Sequence, residues 1–158
     1  MGFFGLFEND ENKRYKKIYN SVNSNPNYLP YFEALILFAE GSLMMPRMIH
    51  NDLLSNEYKK QVSFAYFGGA ADMVTQNLNL NDSEAYAFIS VYILITFYDG
   101  NYKELEQVMN SFVSLTQDKK ILDIMNQGAM DFSEMISENN NNNATTFFMR
   151  FGKLLDKN

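Results

Sequence analysis

Hydrophobic positions along this chain recur at intervals of three and four residues, the repeat of a helix buried along one face. One stretch departs from that rhythm. Residues 84–98, Glu-Ala-Tyr-Ala-Phe-Ile-Ser-Val-Tyr-Ile-Leu-Ile-Thr-Phe-Tyr, are apolar almost throughout. Strands rarely run so long, and Ala85, Ala87 and Leu94 disfavour one. Asn81 and Glu84 have the spacing of a capping box, and Asp82 and Glu84 put negative charge at the positive end of the helix dipole. Gly100 supplies a left-handed stop after Asp99. At about 100° per residue, Ile89, Val91, Tyr92, Ile93, Ile95 and Phe97 fall on every side. The run is shorter than the roughly 20 residues that a bilayer requires. The pattern predicts a helix over 82–99, buried all round and central to the fold.

Further helices are expected around it. Residues 10–23 carry Tyr15, Ile18, Tyr19 and Val22 in one stripe, behind acidic Asp10 and Glu11 and among basic Lys13, Arg14, Lys16 and Lys17. Pro30 opens a helix reaching about Met45, with Phe32, Leu35, Ile36 and Ala39 along one face, and Pro46 should end or kink it. Residues 53–78 form a longer helix, capped by Asp52 or Ser55 and apolar on two sides. Its Gly68-Gly69 pair lets another backbone come close, and the helix over 82–99 is the expected neighbour. Residues 101–115 turn Leu105, Val108, Met109 and Phe112 inward. Residues 118–138 bury Ile121, Met125, Gly128, Phe132 and Met135 and expose a stripe of Asp123, Gln127, Asp131 and Glu134. Five asparagines, residues 139–143, form a flexible linker before a helix over 144–156 with Phe147, Phe148, Phe151, Leu154 and Leu155 on one side. The reading is a single all-α domain over residues 1–158, a bundle of about six mostly antiparallel helices.

Composition narrows the chemistry. The 158 residues contain no Cys and one His, so thiolate catalysis and cysteine metal sites are excluded. A net charge of −6 gives no basic footprint for nucleic acid. No phosphate-binding loop, dinucleotide fingerprint, nucleophile elbow or His-Glu-x-x-His occurs. No metal and no cofactor is expected. The amino terminus, Met-Gly-Phe-Phe-Gly-Leu-Phe, lacks the basic front and length of a secretion signal, so a cytoplasmic setting is expected.

Four places retain site interest. Asp72 and Gln76 fall on an apolar face beside Gly68 and Gly69, where a carboxylate needs a partner and a glycine floor would suit a small ligand. Glu33 and Glu40 share a helix face, as do the carboxylates of residues 118–138, but a solvated edge explains both. Met44, Met45 and Met48 cluster where the helical pattern is least regular. Methionine fills core gaps, and where exposed it makes adaptable binding surfaces. Phe147, Phe148 and Phe151, behind the asparagine tether, can dock on their own domain or on another copy. Phe3, Phe4 and Phe7, with the basic residues that follow, would suit a membrane surface. His50 near Asp52 is a lone imidazole with no nucleophile placed beside it.

The junction Phe97-Tyr98-Asp99-Gly100-Asn101-Tyr102-Lys103-Glu104-Leu105 resembles the helix-turn-helix corner of a tetratricopeptide repeat over about ten residues. Ile93, Leu105 and Phe112 stand where that family has Gly, Ala and Ala, and no second copy follows at a spacing of about 34 residues. The stretch is therefore read as a helical hairpin. The expected function is non-enzymatic protein binding, as in a small adaptor, inhibitor or immunity-type protein. Membrane association through residues 1–7, or a small-molecule site at Asp72, are the alternatives.

Overall fold

The computed structural model describes residue 20 and residues 25–115, 117–138 and 144–157. The expectations for Phe3, Phe4 and Phe7, for most of the helix over 10–23 and for the asparagine run lie outside the described residues. Within them the protein is all-α. Six α-helices follow in order: α1 Leu29–Ile49, α2 Glu57–Asn77, α3 Asp82–Tyr98, α4 Leu105–Leu115, α5 Lys119–Glu138 and α6 Ala144–Leu155. A 3₁₀ turn, Tyr102–Glu104, leads into α4.

Local chemistry sets these limits. The capping box of α3 is present in full: Asn81 Oδ1 accepts from the Glu84 amide at 3.0 Å, and the Asn81 amide donates to Glu84 Oε2 at 3.2 Å. Its carboxyl end is closed by two left-handed residues in succession, Asp99 (φ 49°) and Gly100 (φ 71°). The cap of α2 is Asn56, which accepts from the Lys59 amide at 3.1 Å, and neither Asp52 nor Ser55 fills that role. Asp52 instead pairs with Lys59 Nζ at 2.7 Å. Helix α1 runs on past Pro46 to Ile49, contrary to the expected break. The cost of the missing amide is local, because only the carbonyl one turn earlier loses its donor. The Pro46 ring is itself buried, and the His50 amide donates to the Pro46 carbonyl at 2.8 Å beyond it.

Helix α3 is buried without interruption from Phe88 to Leu94, as its apolar run demands. The hub of the bundle is nevertheless α2, which packs against all five other helices. Every residue of α2 from Val62 to Ala71 is buried. The reason lies in its small residues. A Cβ at Gly69 would overlap the Met125 backbone of α5, and a Cβ at Gly128 of α5 would overlap the Tyr66 backbone of α2. The pairs 66/128 and 69/125 make the two helices antiparallel at backbone contact. The backbone that comes close at Gly69 is thus that of α5, while Gly68 lies under the Phe112 ring of α4, and the expectation of α3 as the close neighbour is corrected. Two opposed glycines permit a closer approach than one pair facing the large side chains of α3.

Aromatic rings fill the space on both sides of the hub. Phe38 of α1 meets Tyr66 and Phe67 of α2, Phe132 of α5 and Phe147 of α6, with centroids 5.5–5.9 Å apart. On the other side Phe64 of α2 meets Phe97 and Tyr98 of α3 and Phe112 of α4. Offset and edge-on ring pairs at these separations add to the burial of apolar area. Tyrosine hydroxyls bind the layers further: Tyr92 donates to the Leu35 carbonyl of α1 at 2.9 Å, and Tyr58 to the Leu154 carbonyl of α6 at 3.2 Å.

Candidate partner-binding face

Helix α1 presents two faces of opposite character. Phe32, Leu35, Phe38, Ala39 and Leu43 point into the core. On the outside, Leu37 is 65% exposed, Met44 58%, Met48 78% and Ile49 68%. Leu37, Met44 and Met48 stand at intervals of seven and four, so they form one line along the helix, with Gly41 between. Met45 borders that line and is also exposed. Single exposed apolar residues are ordinary on any protein, but a continuous row is not. Glu33 and Glu40, both exposed, edge the row on one side. At its carboxyl end a groove of about 350 Å³ opens between Arg47, His50, Leu53 and Phe97. Arg47 is fixed there by donating to the Thr96 carbonyl of α3. The methionines are thus out in solvent, and Leu37 and Ile49 belong with them. Their signal was present in the sequence: Leu37 lies seven residues before Met44, on the side away from Phe32 and Leu35.

The other expected site residues are not gathered into a pocket. Asp72 is half-buried and Gln76 exposed. Asp72 Oδ2 accepts from Gln76 Nε2 at 2.8 Å, and the Thr75 hydroxyl lies 3.4 Å from Oδ1. The carboxylate is therefore satisfied within its own helix. Gly68 and Gly69 are buried, the first under the Phe112 ring and the second against Met125. The glycine floor is occupied by protein. Phe147 and Phe151 lie in this chain's own core, and Phe148 is half-buried. His50 Nε2 sits 3.5 Å from Asp156 Oδ1, beyond the end of α6, while Asp52 is taken by Lys59. Among the described residues no group of three His, Cys, Asp or Glu side chains is placed to hold a metal ion.

The strongest polar cluster is one the sequence pattern placed in solvent. Asp131 is 1% exposed, although it falls on the acidic stripe of α5. Three helices satisfy it. The Tyr66 hydroxyl of α2 donates to Oδ2 at 2.7 Å, and Gln127 Nε2 and Arg150 Nη1 of α6 donate to Oδ1 at 2.9 and 2.7 Å. Arg150 also donates to Glu134 Oε2 at 2.6 Å and lies over the Phe147 ring. Burial, then the adjacent Asp131 charge and its hydrogen bond, push the Tyr66 phenol well above its ordinary range, so it stays a donor. Glu134 and Asp131 in turn hold the guanidinium firmly charged. The cluster locks α6 onto the seam of α2 and α5. With both Asp131 carboxylate oxygens matched by donors within the fold, it is an internal clasp. No helix among the described residues is long and apolar enough to cross a membrane. The chain matches no known protein family, no curated protein and no solved structure.

Proposed function

We propose that the protein is a non-enzymatic, cytoplasmic protein-binding domain, of the adaptor, inhibitor or immunity type, that engages its partner through the outer face of α1. The observation that carries this reading is the exposed row of Leu37, Met44 and Met48, with exposed Ile49 near its end, on a helix whose other face is core. An amphipathic helix laid along such a row buries its own apolar side without remodelling the bundle. Unbranched methionine chains adapt to the shape they meet. Glu33 and Glu40 at the edge favour a partner with Lys or Arg beside its apolar stripe. The groove beside Arg47 and Phe97 is suited to one anchoring side chain.

A pull-down from native lysate, run with the natural chain and with a Leu37→Glu/Met48→Glu variant of equal helicity, tests the reading. The natural chain should recover a stoichiometric partner, or associate with itself by light scattering, and the variant should do neither. Equal recovery by both chains, or none by either, would count against it.

A further inference from the structure

We propose that the outer face of α1 is a self-association surface: it takes the same face of a second copy of this chain, laid antiparallel about a two-fold axis between residues 40 and 41. This rests on the reading of α1 as the binding face and adds what binds there.

The charges beside the row single out that partner. Glu33, Glu40 and Arg47 are all exposed and stand seven residues apart, so they share one edge of α1, next to Leu37 and Met44. From the amino end, that edge runs negative, negative, positive. A copy laid parallel and in register would set each charge against its like. A copy laid antiparallel presents the edge as positive, negative, negative. Glu33 then meets Arg47 of the second copy at one end, and Arg47 meets Glu33 of the second copy at the other. Such flanking charges set partner choice and direction in paired helices.

The apolar positions agree with this register. In an antiparallel pair, residues at equal distances from the axis lie side by side. Leu37 of each copy then packs against Met44 of the other, an isologous contact made twice. Gly41, at the axis, keeps the crossing free of side-chain bulk. One contact opposes the pairing, since Glu40 faces its own copy. It is exposed, so water screens it, and two attractive pairs outnumber it. Any amphipathic helix could cover Leu37, Met44 and Met48. The order of the three charges favours a second copy, because the edge is nearly its own complement when reversed. From Glu33 to Arg47 it extends about 21 Å. A contact of that length between two helices is smaller than a standard interface, so the dimer should be weak and reversible, with Kd on the order of 10–100 μM.

Sedimentation equilibrium of the full chain over roughly 5–500 μM reads this association. Glu33→Arg sets like charges together at both ends and should weaken the dimer at least about fivefold. Glu33→Arg with Arg47→Glu restores opposite charges and should return the Kd to within about threefold of the natural value. Glu40→Gln removes the repulsive pair and should tighten the dimer about twofold. Helix content and the urea midpoint check that each variant folds. Glu33→Arg and Glu40→Gln leave the bond from Arg47 to the Thr96 carbonyl in place, so they decide the matter even if the double variant is destabilised. The inference falls if the natural chain stays monomeric up to about 500 μM. It also falls if Glu33→Arg leaves the dimer as tight as before, if Glu40→Gln loosens it, or if a folded double variant does not recover it. A stoichiometric foreign partner in the pull-down, together with a monomeric natural chain, would overturn this inference and keep the reading it rests on.

Discussion

The seam between α2 and α5 and the outer face of α1 both depend on residues that hydrophobic patterning handles poorly, and they come out as opposites. At the seam, glycines at 69 and 128 bring two backbones into contact, and a buried carboxylate is matched by three donors. On α1, the large apolar chains of Leu37, Met44, Met48 and Ile49 are exposed. Tight packing here is carried by the smallest side chains, and the site by large flexible ones. A helix can therefore be apolar for either of two reasons, and only the size of its residues separates them. Small residues among large ones signal a buried neighbour, while methionine beside leucine on a second face signals a place left for something else.

The sharpest way to break the contrast is to add volume at the seam. Gly69→Ala and Gly128→Ala each place a Cβ inside the facing backbone, which cannot swing aside as a side chain can. The two helices must separate, and the rings around Phe38 separate with them. A loss of about 3 kcal/mol or more is expected by urea denaturation. Gly152→Ala, on the same scale, meets nothing and should be neutral or stabilising by up to about 1 kcal/mol, since alanine is the better helix former. If Gly128→Ala unfolds no more readily than Gly152→Ala, the backbone contact is not what holds α2 and α5 together.

Next in size is the clasp. Asp131→Ala strips the Tyr66 hydroxyl and Arg150 of an acceptor inside the fold. Arg150 keeps Glu134 and reaches water, so the cost should fall at about 2–4 kcal/mol and should be carried mainly by the buried phenol. Helix α6 is the element expected to loosen first, and faster hydrogen exchange in residues 146–155 would report it. An Asp131→Ala chain whose α6 exchanges at the natural rate would show that the phenylalanines alone fix that helix.

Alkaline pH probes the same interior more gently. Burial raises the pKa of Tyr66 and of Tyr92, and of half-buried Tyr98 to a lesser extent, above the ordinary value of 10.0. The folded chain thus keeps phenolic protons that the unfolded chain gives up. The stability tied to these neutral phenols is fully present below about pH 10 and is lost as the pH rises past it. The expected slope is about 1.4 kcal/mol per pH unit for each fully buried tyrosine. Tyr66→Phe should remove one share of that slope. A slope unchanged by this substitution would mean that Tyr66 reaches solvent.

Much of this architecture is legible in the sequence. The capping box at Asn81, the buried run of α3 and the inward stripe of α4 follow from spacing alone. So does the inner stripe of α5, including Gly128, although not what that glycine touches. The misplaced features share a cause. Asp131 lies on a polar stripe, and nothing along the chain reveals that Arg150, nineteen residues later, and Tyr66, sixty-five earlier, arrive to satisfy it. Asp72 attracts attention by standing on an apolar face, yet Gln76, one turn on, already answers it. Pro46 argues for a break, but a helix held on both flanks by tertiary contacts absorbs one missing hydrogen bond. Local rules describe single helices well, and pairings between distant helices decide which polar residues are buried.

The smallest expected effect bears directly on the site. Leu37→Gln with Met48→Gln exchanges two exposed apolar chains for residues of nearly equal helix propensity. The urea midpoint of the bundle should therefore move by less than about 0.5 kcal/mol in equivalent stability, the range of ordinary surface changes. A variant that falls as far as Gly128→Ala would mean that Leu37 and Met48 are core residues of the folded chain, and the contrast between the two regions would be lost.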